Sequence, residues 1–174
     1  APNPLLSRRR ATASPARRKT MCQLQKLSAM LPHNSQLSAE LQRAYRVALY
    51  RVYLEDGEAQ TLRAGQRSDW LAQRLQQRAS SGACYLTACN PWGQVLSDAE
   101  NTERMNALHQ QLQQQGMNYN EGCGEDPKGQ WPGESSVLIW NMDAATALHS
   151  CQQWEQNAVL WSAADGVPQL LWLR

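Results

Sequence analysis

The stretch TACNPWGQVLSDAEN, residues 87–101, decides how the chain is organised. It overlaps the end of a short, nearly continuous apolar run at residues 83–89, which is typical of a buried central strand. Asn90 and the proline after it favour a turn. Ser97 and Glu100 have the spacing of a capping box, which marks the start of a helix. The stretch therefore predicts a strand end, a polar turn and a capped helix, in that order.

Polar side chains occupy the inward face of the first turn of this predicted helix. Its core-facing apolar stripe is formed by Met105, Leu108 and Leu112. The same stripe, extended backward, reaches Asn101, and Arg104 lies beside it. Ligands of open α/β sheets tend to bind at strand ends beside helix N-termini, where unpaired N–H groups favour an anion. Capping explains Ser97 and Glu100, but it does not require Asn101 or Arg104.

Further polar residues precede the later strands. Glu134 lies just before the apolar run that starts at Val137, where a salt bridge to Arg104 is the common outcome and a general acid or base is the alternative. Gln156 and Asn157 precede another strand, where a simple turn is the alternative. We predict a polar pocket at the strand ends, with two tryptophans as walls, lined by Asn90, Trp92, Asn101, Arg104, Trp131, Glu134, Gln156 and Asn157.

Other chemistries receive less support from the sequence. The glycine-rich residues 122–133 are predicted to be a loop, and their first segment, Gly122-Cys123-Gly124, lacks the Gly-Lys-Ser/Thr ending of a phosphate-binding loop. The three histidines lack metal-ligand spacing, and no Gly-x-Ser-x-Gly motif is present. Cys89 and His109 form a formal Cys/His pair, but a buried cysteine is usually a small apolar residue. We expect no metal and no cofactor, and the residues leave open whether the protein is an enzyme.

Charge is distributed unevenly along the chain. Residues 1–39 hold seven Lys or Arg and no acid, so the rest holds ten bases and fifteen acids, a net charge of −5. We expect residues 1–36 to be a disordered basic tail. Its first twenty residues could lie upstream of a true start at Met21, or the tail could be an organelle transit peptide or an arm for nucleic acid or acidic lipid.

The remaining segment, 37–174, has the composition of one folded domain. Hydrophobic residues make up 42% of the sequence, which has seven Trp and no Phe. No apolar run is long enough to cross a membrane. Five cysteines without framework spacing indicate free thiols in a reducing compartment. Helical and strand patterns alternate through the middle and hairpin patterns close both ends, which predicts an α+β domain with a mixed sheet and about three packed helices.

Several motifs resemble one bacterial family, the domain of unknown function numbered 3293. The resemblance covers about residues 38–174, its most specific part runs from Asn90 to Asn101, and further matching segments are Ala44–Arg46, Leu62–Gly65, Trp131 with Glu134-Ser135, and Gln156–Ala158 before Trp161. The chain departs from the family pattern at Cys89, where an aromatic is usual, at Gly93, where Ser is common, and at Trp154-Glu155, where Phe-Gly is common. The resemblance implies a domain boundary and a bacterial cytoplasmic setting, but no reaction.

Three functional hypotheses follow from the sequence. The first is a binding or regulatory module for a small polar or anionic ligand or a protein partner. The second is a hydrolase or transferase that uses Glu134 or Glu100 as acid or base and Arg104 as an anion clamp. The third is a nucleic-acid-associated protein that acts through its basic tail.

Overall fold

The computed structural model describes residues 37–174, so the hypotheses on the basic tail lie outside the described residues. The strands are β1 (Leu49–Tyr53), β2 (Ala59–Leu62), β3 (Ala83–Leu86), β4 (Tyr119–Glu125), β5 (Glu134–Trp140), β6 (Ala158–Ser162) and β7 (Pro168–Trp172). The α-helices of this part are α1 (Ala39–Val47), α2 (Asp69–Gln77), α3 (Asp98–Gln114) and α4 (Ala144–Gln153).

The seven strands form a single sheet in the order β2-β1-β4-β5-β3-β6-β7. Hairpins β1/β2 and β6/β7 lie at its two edges, which confirms the predicted terminal hairpins. The connection β3-α3-β4 passes over β5, and the connection β5-α4-β6 passes over β3. Each helical crossover therefore skips one strand, which is the split β-α-β arrangement of ferredoxin-like folds.

This crossover pattern explains the direction of the strands. The strand that fills each gap runs antiparallel to both of its neighbours, so every ladder among residues 37–174 is antiparallel. The predicted α+β class with a single domain is confirmed. The predicted mixed sheet is corrected in one respect. The two strands joined by each helical crossover run parallel but are not neighbours in the sheet, so residues 37–174 contain no parallel strand pair.

The core has one layer on each face of the sheet. Alternate residues of a strand point to opposite faces. Val137 and Ile139 of β5 therefore pack with α3 and α4, whose buried residues are Met105, Leu108, Leu112, Ala144, Ala147 and Cys151. Leu138 and Trp140 face the other way and belong to the cluster that contains Leu71 and Leu75 of α2. None of the helices in residues 37–174 is long and apolar enough to cross a bilayer.

Helix α1 is attached more loosely than the others. Ser38 caps it by accepting a hydrogen bond from the backbone N–H of Leu41, yet none of its residues is buried. The Tyr50 hydroxyl donates to the backbone oxygen of Tyr45 at 2.6 Å. The ring of Tyr45 also meets Trp172 of β7 edge-on, with 5.4 Å between centroids. A few contacts with the sheet thus hold α1 in place.

One segment differs from its predicted structure. The glycine-rich residues from Gly122 onward were predicted as a loop, but β4 continues through them to Glu125. Pairing with β1 on one side and β5 on the other satisfies the backbone, and this outweighs the low strand propensity of glycine. Gly122 is also required by space, since a Cβ there would lie 2.4 Å from the Arg51 backbone oxygen.

Candidate functional site

The stretch 87–101 leaves the sheet after β3 and returns as α3. A short 3₁₀ turn covers Pro91–Gly93, and the predicted capping box between Ser97 and Glu100 is confirmed. Asn90 adopts the left-handed conformation, with φ of 48° and ψ of 64°. Asparagine tolerates this conformation better than most residues, because its short side chain can hydrogen-bond locally.

Two asparagines fix this turn to the helix that follows it. The backbone N–H of Asn90 donates to Oδ1 of Asn101 at 2.9 Å, and Nδ2 of Asn101 donates to Oδ1 of Asn90 at 2.9 Å. The same Oδ1 accepts the backbone N–H of Leu96 at 3.0 Å. Asn101, which the apolar stripe predicted to point inward, therefore holds the turn in its left-handed geometry.

The remaining donor of Asn90 reaches the start of β5. Its Nδ2 donates to Oε2 of Glu134 at 2.8 Å. Burial raises the pKa of the Glu134 carboxyl, and the hydrogen bond from Asn90 lowers it by a smaller amount. Asn90 and Glu134 are 44 positions apart in the sequence, and their hydrogen bond places one carboxyl group beside the turn.

Arg104 lies behind this turn and joins two loops. Its Nε donates to the backbone oxygen of Ala88, and its Nη2 donates to the backbone oxygen of Trp154 at 3.0 Å. Its Nη1 lies 3.3 Å from Oε1 of Glu155. Gln156 reinforces the same junction, because its Nε2 donates to the backbone oxygen of Cys89 at 2.9 Å. The guanidinium group of Arg104 is therefore engaged by protein groups.

A cavity of about 360 Å³ opens between α1 and the sheet, on the face that carries α2. This volume lies at the lower end of the range for small-molecule sites. The cavity is lined by Leu41, Ala44, Tyr45, Ala48, Tyr50, Tyr85, Thr87, Asn90, Gly93, Val95, Gly124, Trp131, Pro132, Glu134, Ser136, Gln156, Ala158, Val159, Leu160 and Leu170. Leu41, Val95 and Trp131 form an apolar mouth, with exposed fractions of 36%, 89% and 36%.

The eight predicted site residues divide into two groups. Asn90, Trp131, Glu134 and Gln156 line the cavity; Trp92, Asn101, Arg104 and Asn157 are not among its lining residues. The ring of Trp92 instead lies under the guanidinium group of Arg174, with 3.7 Å from the guanidinium carbon to the ring centroid.

Asn157 occupies an unusual position beside the cavity wall. It is 1% exposed, and its Oδ1 and Nδ2 make no hydrogen bond within residues 37–174. A Cβ on Gly93 would lie 3.5 Å from its Nδ2. Burial raises the pKa of the Tyr45 phenol, and the Asn157 side chain lowers it by a smaller amount. Two buried polar atoms without partners cost stability.

The hydroxyl protons around the cavity are mostly used by the protein itself. The hydroxyls of Tyr50 and Tyr85 donate to backbone oxygens at 2.6 and 2.8 Å. Thr87 donates to the backbone oxygen of Ser135 at 2.6 Å, and Ser136 donates to that of Glu134 at 3.0 Å. Among residues 37–174 the wall includes one ionisable carboxyl group, on Glu134, and no Lys, Arg or His. The cavity is therefore mostly apolar, with a single acid at one side.

Two contributions to the cavity were missed by the sequence-based prediction. Ala44 and Tyr45 of α1 form one wall, although the sequence marked them only as part of a segment that resembles the family. Gly124 leaves space beside Glu134, its partner across the β4/β5 ladder. Gly122 and Gly124 lie two residues apart, and this spacing was the signal that one face of the strand carries no side chains of its own there.

Comparison with known proteins finds a family model that matches part of the chain. No curated protein and no solved structure gives a significant match. The matched part of the chain, residues 86–159, contains all eight predicted site residues but not α1. Over these residues the chain matches the model of the family described as "Protein of unknown function (DUF3293)", which confirms the resemblance expected from the sequence.

Proposed function

We propose that the protein is a binding module for a small molecule and that the cavity between α1 and the sheet is its binding site. The observation that carries this proposal is the combination of an apolar cavity of about 360 Å³ with one oriented carboxyl group, Glu134. Such a combination is typical of ligand sites, where apolar walls supply affinity and a few polar groups fix orientation.

The surroundings of the cavity support a binding role. Helix α1 forms one wall with Leu41, Ala44 and Tyr45, yet it has no buried residue. An apolar molecule in the cavity would cover these side chains and gain contact with them, because removal of apolar surface from water is favourable. The apolar mouth is also the kind of exposed patch that marks a binding surface.

A cavity-filling substitution tests this proposal. The neutral fluorescent probe N-phenyl-1-naphthylamine is expected to bind the full chain, with fluorescence that rises on binding. In Ala44→Phe the added ring occupies the cavity, and we expect the affinity for the probe to fall at least about tenfold, the equivalent of about 1.4 kcal/mol.

Arg43→Phe is the matched control. It places the same ring on α1 at an exposed position that does not line the cavity. Its affinity for the probe should equal that of the unsubstituted protein. If the probe fails to bind, or if Ala44→Phe binds it as tightly as Arg43→Phe does, the cavity is not the binding site.

A second function, acid–base catalysis, is supported by the raised pKa of Glu134 inside the cavity. The other groups of the enzyme hypothesis are used in the fold. Glu100 accepts a hydrogen bond from Ser97, and Arg104 donates hydrogen bonds to two backbone oxygens. Hydrolysis of p-nitrophenyl acetate by the full chain and by Glu134→Gln tests it. A rate that falls about 100-fold or more in the variant would favour an enzyme, and equal rates would count against one.

A further inference from the structure

We propose that the ligand of the cavity is an organic cation, a protonated amine on an apolar body, whose ammonium group pairs with Glu134. This inference rests on the proposed binding function and names the chemical class of the ligand.

Glu134 is the acidic group on the wall, and it has hydrogen-bonding capacity left for a ligand. Its Oε2 accepts from Asn90, and no hydrogen bond within residues 37–174 involves its Oε1. The Oδ1 of Asn90 accepts two hydrogen bonds, and one N–H of its Nδ2 donates to Glu134. A hydrogen-bond donor on a ligand can therefore bind the remaining oxygen of Glu134.

Glu134 also lacks a positive partner in the described part of the chain. The ion pairs of residues 37–174 are Arg51–Glu125, Arg67–Asp69, Arg104–Glu155 and His109–Glu121. A carboxylate that is removed from water without a counter-charge is costly. A ligand that brings a positive charge removes this cost, whereas an anionic ligand adds to it. The same cost of burying a charge raises the pKa of the Glu134 carboxyl.

The aromatic rings around the cavity suit the same ligand. Tyr45, Tyr50, Tyr85 and Trp131 all contribute to the wall. Tyr50 and Tyr85 pack edge to face, with 5.3 Å between their centroids. Ring faces attract ammonium groups, and the attraction grows when water is excluded. The apolar residues of the wall, among them Leu160 and Leu170, would then contact the uncharged body of the ligand.

Three probes with the same phenyl ring and similar length separate charge from shape. They are phenethylamine, 2-phenylethanol and phenylacetate, each titrated into the full chain by calorimetry at neutral pH and low salt. We expect the amine to bind at least about tenfold more tightly than the alcohol, and the carboxylate to bind more weakly than either.

Two substitutions assign the preference to a residue. In Glu134→Gln the amine should lose its advantage over the alcohol, while the alcohol keeps its affinity. Glu125→Gln is the matched control, because Glu125 lies in the paired strand, pairs with Arg51 and does not line the cavity. Its amine affinity should be unchanged.

The outcomes separate this inference from the proposed function. The inference is overturned if the amine and the alcohol bind equally, or if the preference for the amine survives in Glu134→Gln. It is also overturned if N-phenyl-1-naphthylamine binds and the amine does not. In each of these cases cavity binding itself stands. If the naphthylamine probe itself does not bind, the cavity is not the binding site and both proposals are overturned.

Discussion

Glu134 begins β5 and faces the cavity with a hydrogen bond from Asn90 to one of its two oxygens. Its folded-state pKa is raised, so folding favours the protonated form. The contribution of this group to stability is therefore fully present below the unfolded pKa of about 4.3, and it is lost as pH rises through the folded pKa. The neighbouring groups Tyr45, Tyr50, Cys89 and Cys123 have pKa values that burial also raises, so they stay neutral over this range.

Glu134→Gln should therefore stabilise the protein in a pH-dependent way. Glutamine keeps an oxygen that accepts the hydrogen bond from Asn90, but it carries no charge. At pH 4 the melting temperatures of the variant and the unsubstituted protein should agree, and at pH 8 the variant should melt a few degrees higher. Calorimetry at both pH values measures this difference. If the two proteins agree at pH 4 but Glu134→Gln has the lower melting temperature at pH 8, the carboxylate stabilises the fold instead.

Asn157 leads to a second prediction at the scale of single residues. Its side chain is buried, and its oxygen and nitrogen have no hydrogen-bond partner among residues 37–174. Asn157→Leu keeps a similar volume and removes both polar atoms, so we expect a gain of about 1 kcal/mol in the free energy of unfolding. Urea denaturation measures it. A loss of stability would instead show that the amide has a partner that the fold requires, and Asn118→Leu, at an exposed position outside the helices and strands, supplies a reference.

The sequence predicted the roles of some of these residues better than others. Ser97 and Glu100 were identified as a capping box because their spacing specifies that geometry. Asn101 was identified as inward-facing because helical periodicity specifies its side of the helix. Its hydrogen bond with Asn90 joins residues 11 positions apart. The hydrogen bond from Arg104 to the backbone oxygen of Trp154 joins residues 50 positions apart. Local patterns carry no information on such contacts.

At the scale of elements, α1 is the part of the cavity with the weakest attachment. It has no buried residue, and the Tyr50 hydroxyl holds it through the backbone oxygen of Tyr45. Elements with few buried contacts open locally before the whole protein unfolds. We therefore expect α1 to exchange its amide hydrogens faster than β5, which lies in the middle of the sheet.

Tyr50→Phe tests how α1 is attached. Loss of one hydrogen bond worth about 1 kcal/mol should speed amide exchange in α1 about fivefold and leave β5 unchanged. Hydrogen exchange followed by mass spectrometry measures both regions in one sample. Tyr53→Phe, in the same strand but with an exposed side chain, is the control. Equal acceleration in α1 and β5 would mean that α1 opens only when the whole domain unfolds.

The elements themselves were easier to predict than their arrangement. Hairpin patterns in the sequence correctly located the hairpins at both ends of the domain. The strand direction was predicted less well, because an alternating helix and strand pattern fits both a direct crossover and one that skips a strand. The order of β5 and β3 in the sheet decides between them, and this order depends on long-range pairing.

For the whole molecule, residues 37–174 contain both core layers and every described strand and helix. We expect this segment alone to unfold in one cooperative transition, with a midpoint within about 2 °C of the full chain. Scanning calorimetry of the two proteins measures the difference. A much lower midpoint would place part of the folded domain in residues 1–36.

DNA binding of the same two proteins at increasing salt would test the nucleic-acid hypothesis for the basic tail.

Gly124 lies in β4, opposite Tyr50 on one side and Glu134 on the other, and all three residues line the cavity. A Cβ there would meet no atom closer than 3.9 Å, so the strand accepts a larger residue at this position. Alanine, valine or leucine would shorten the cavity stepwise beside the carboxyl group while leaving the sheet paired. One codon could thus act as a size filter, through which related proteins diverge in the length of the ligand that they accept while they keep the same fold.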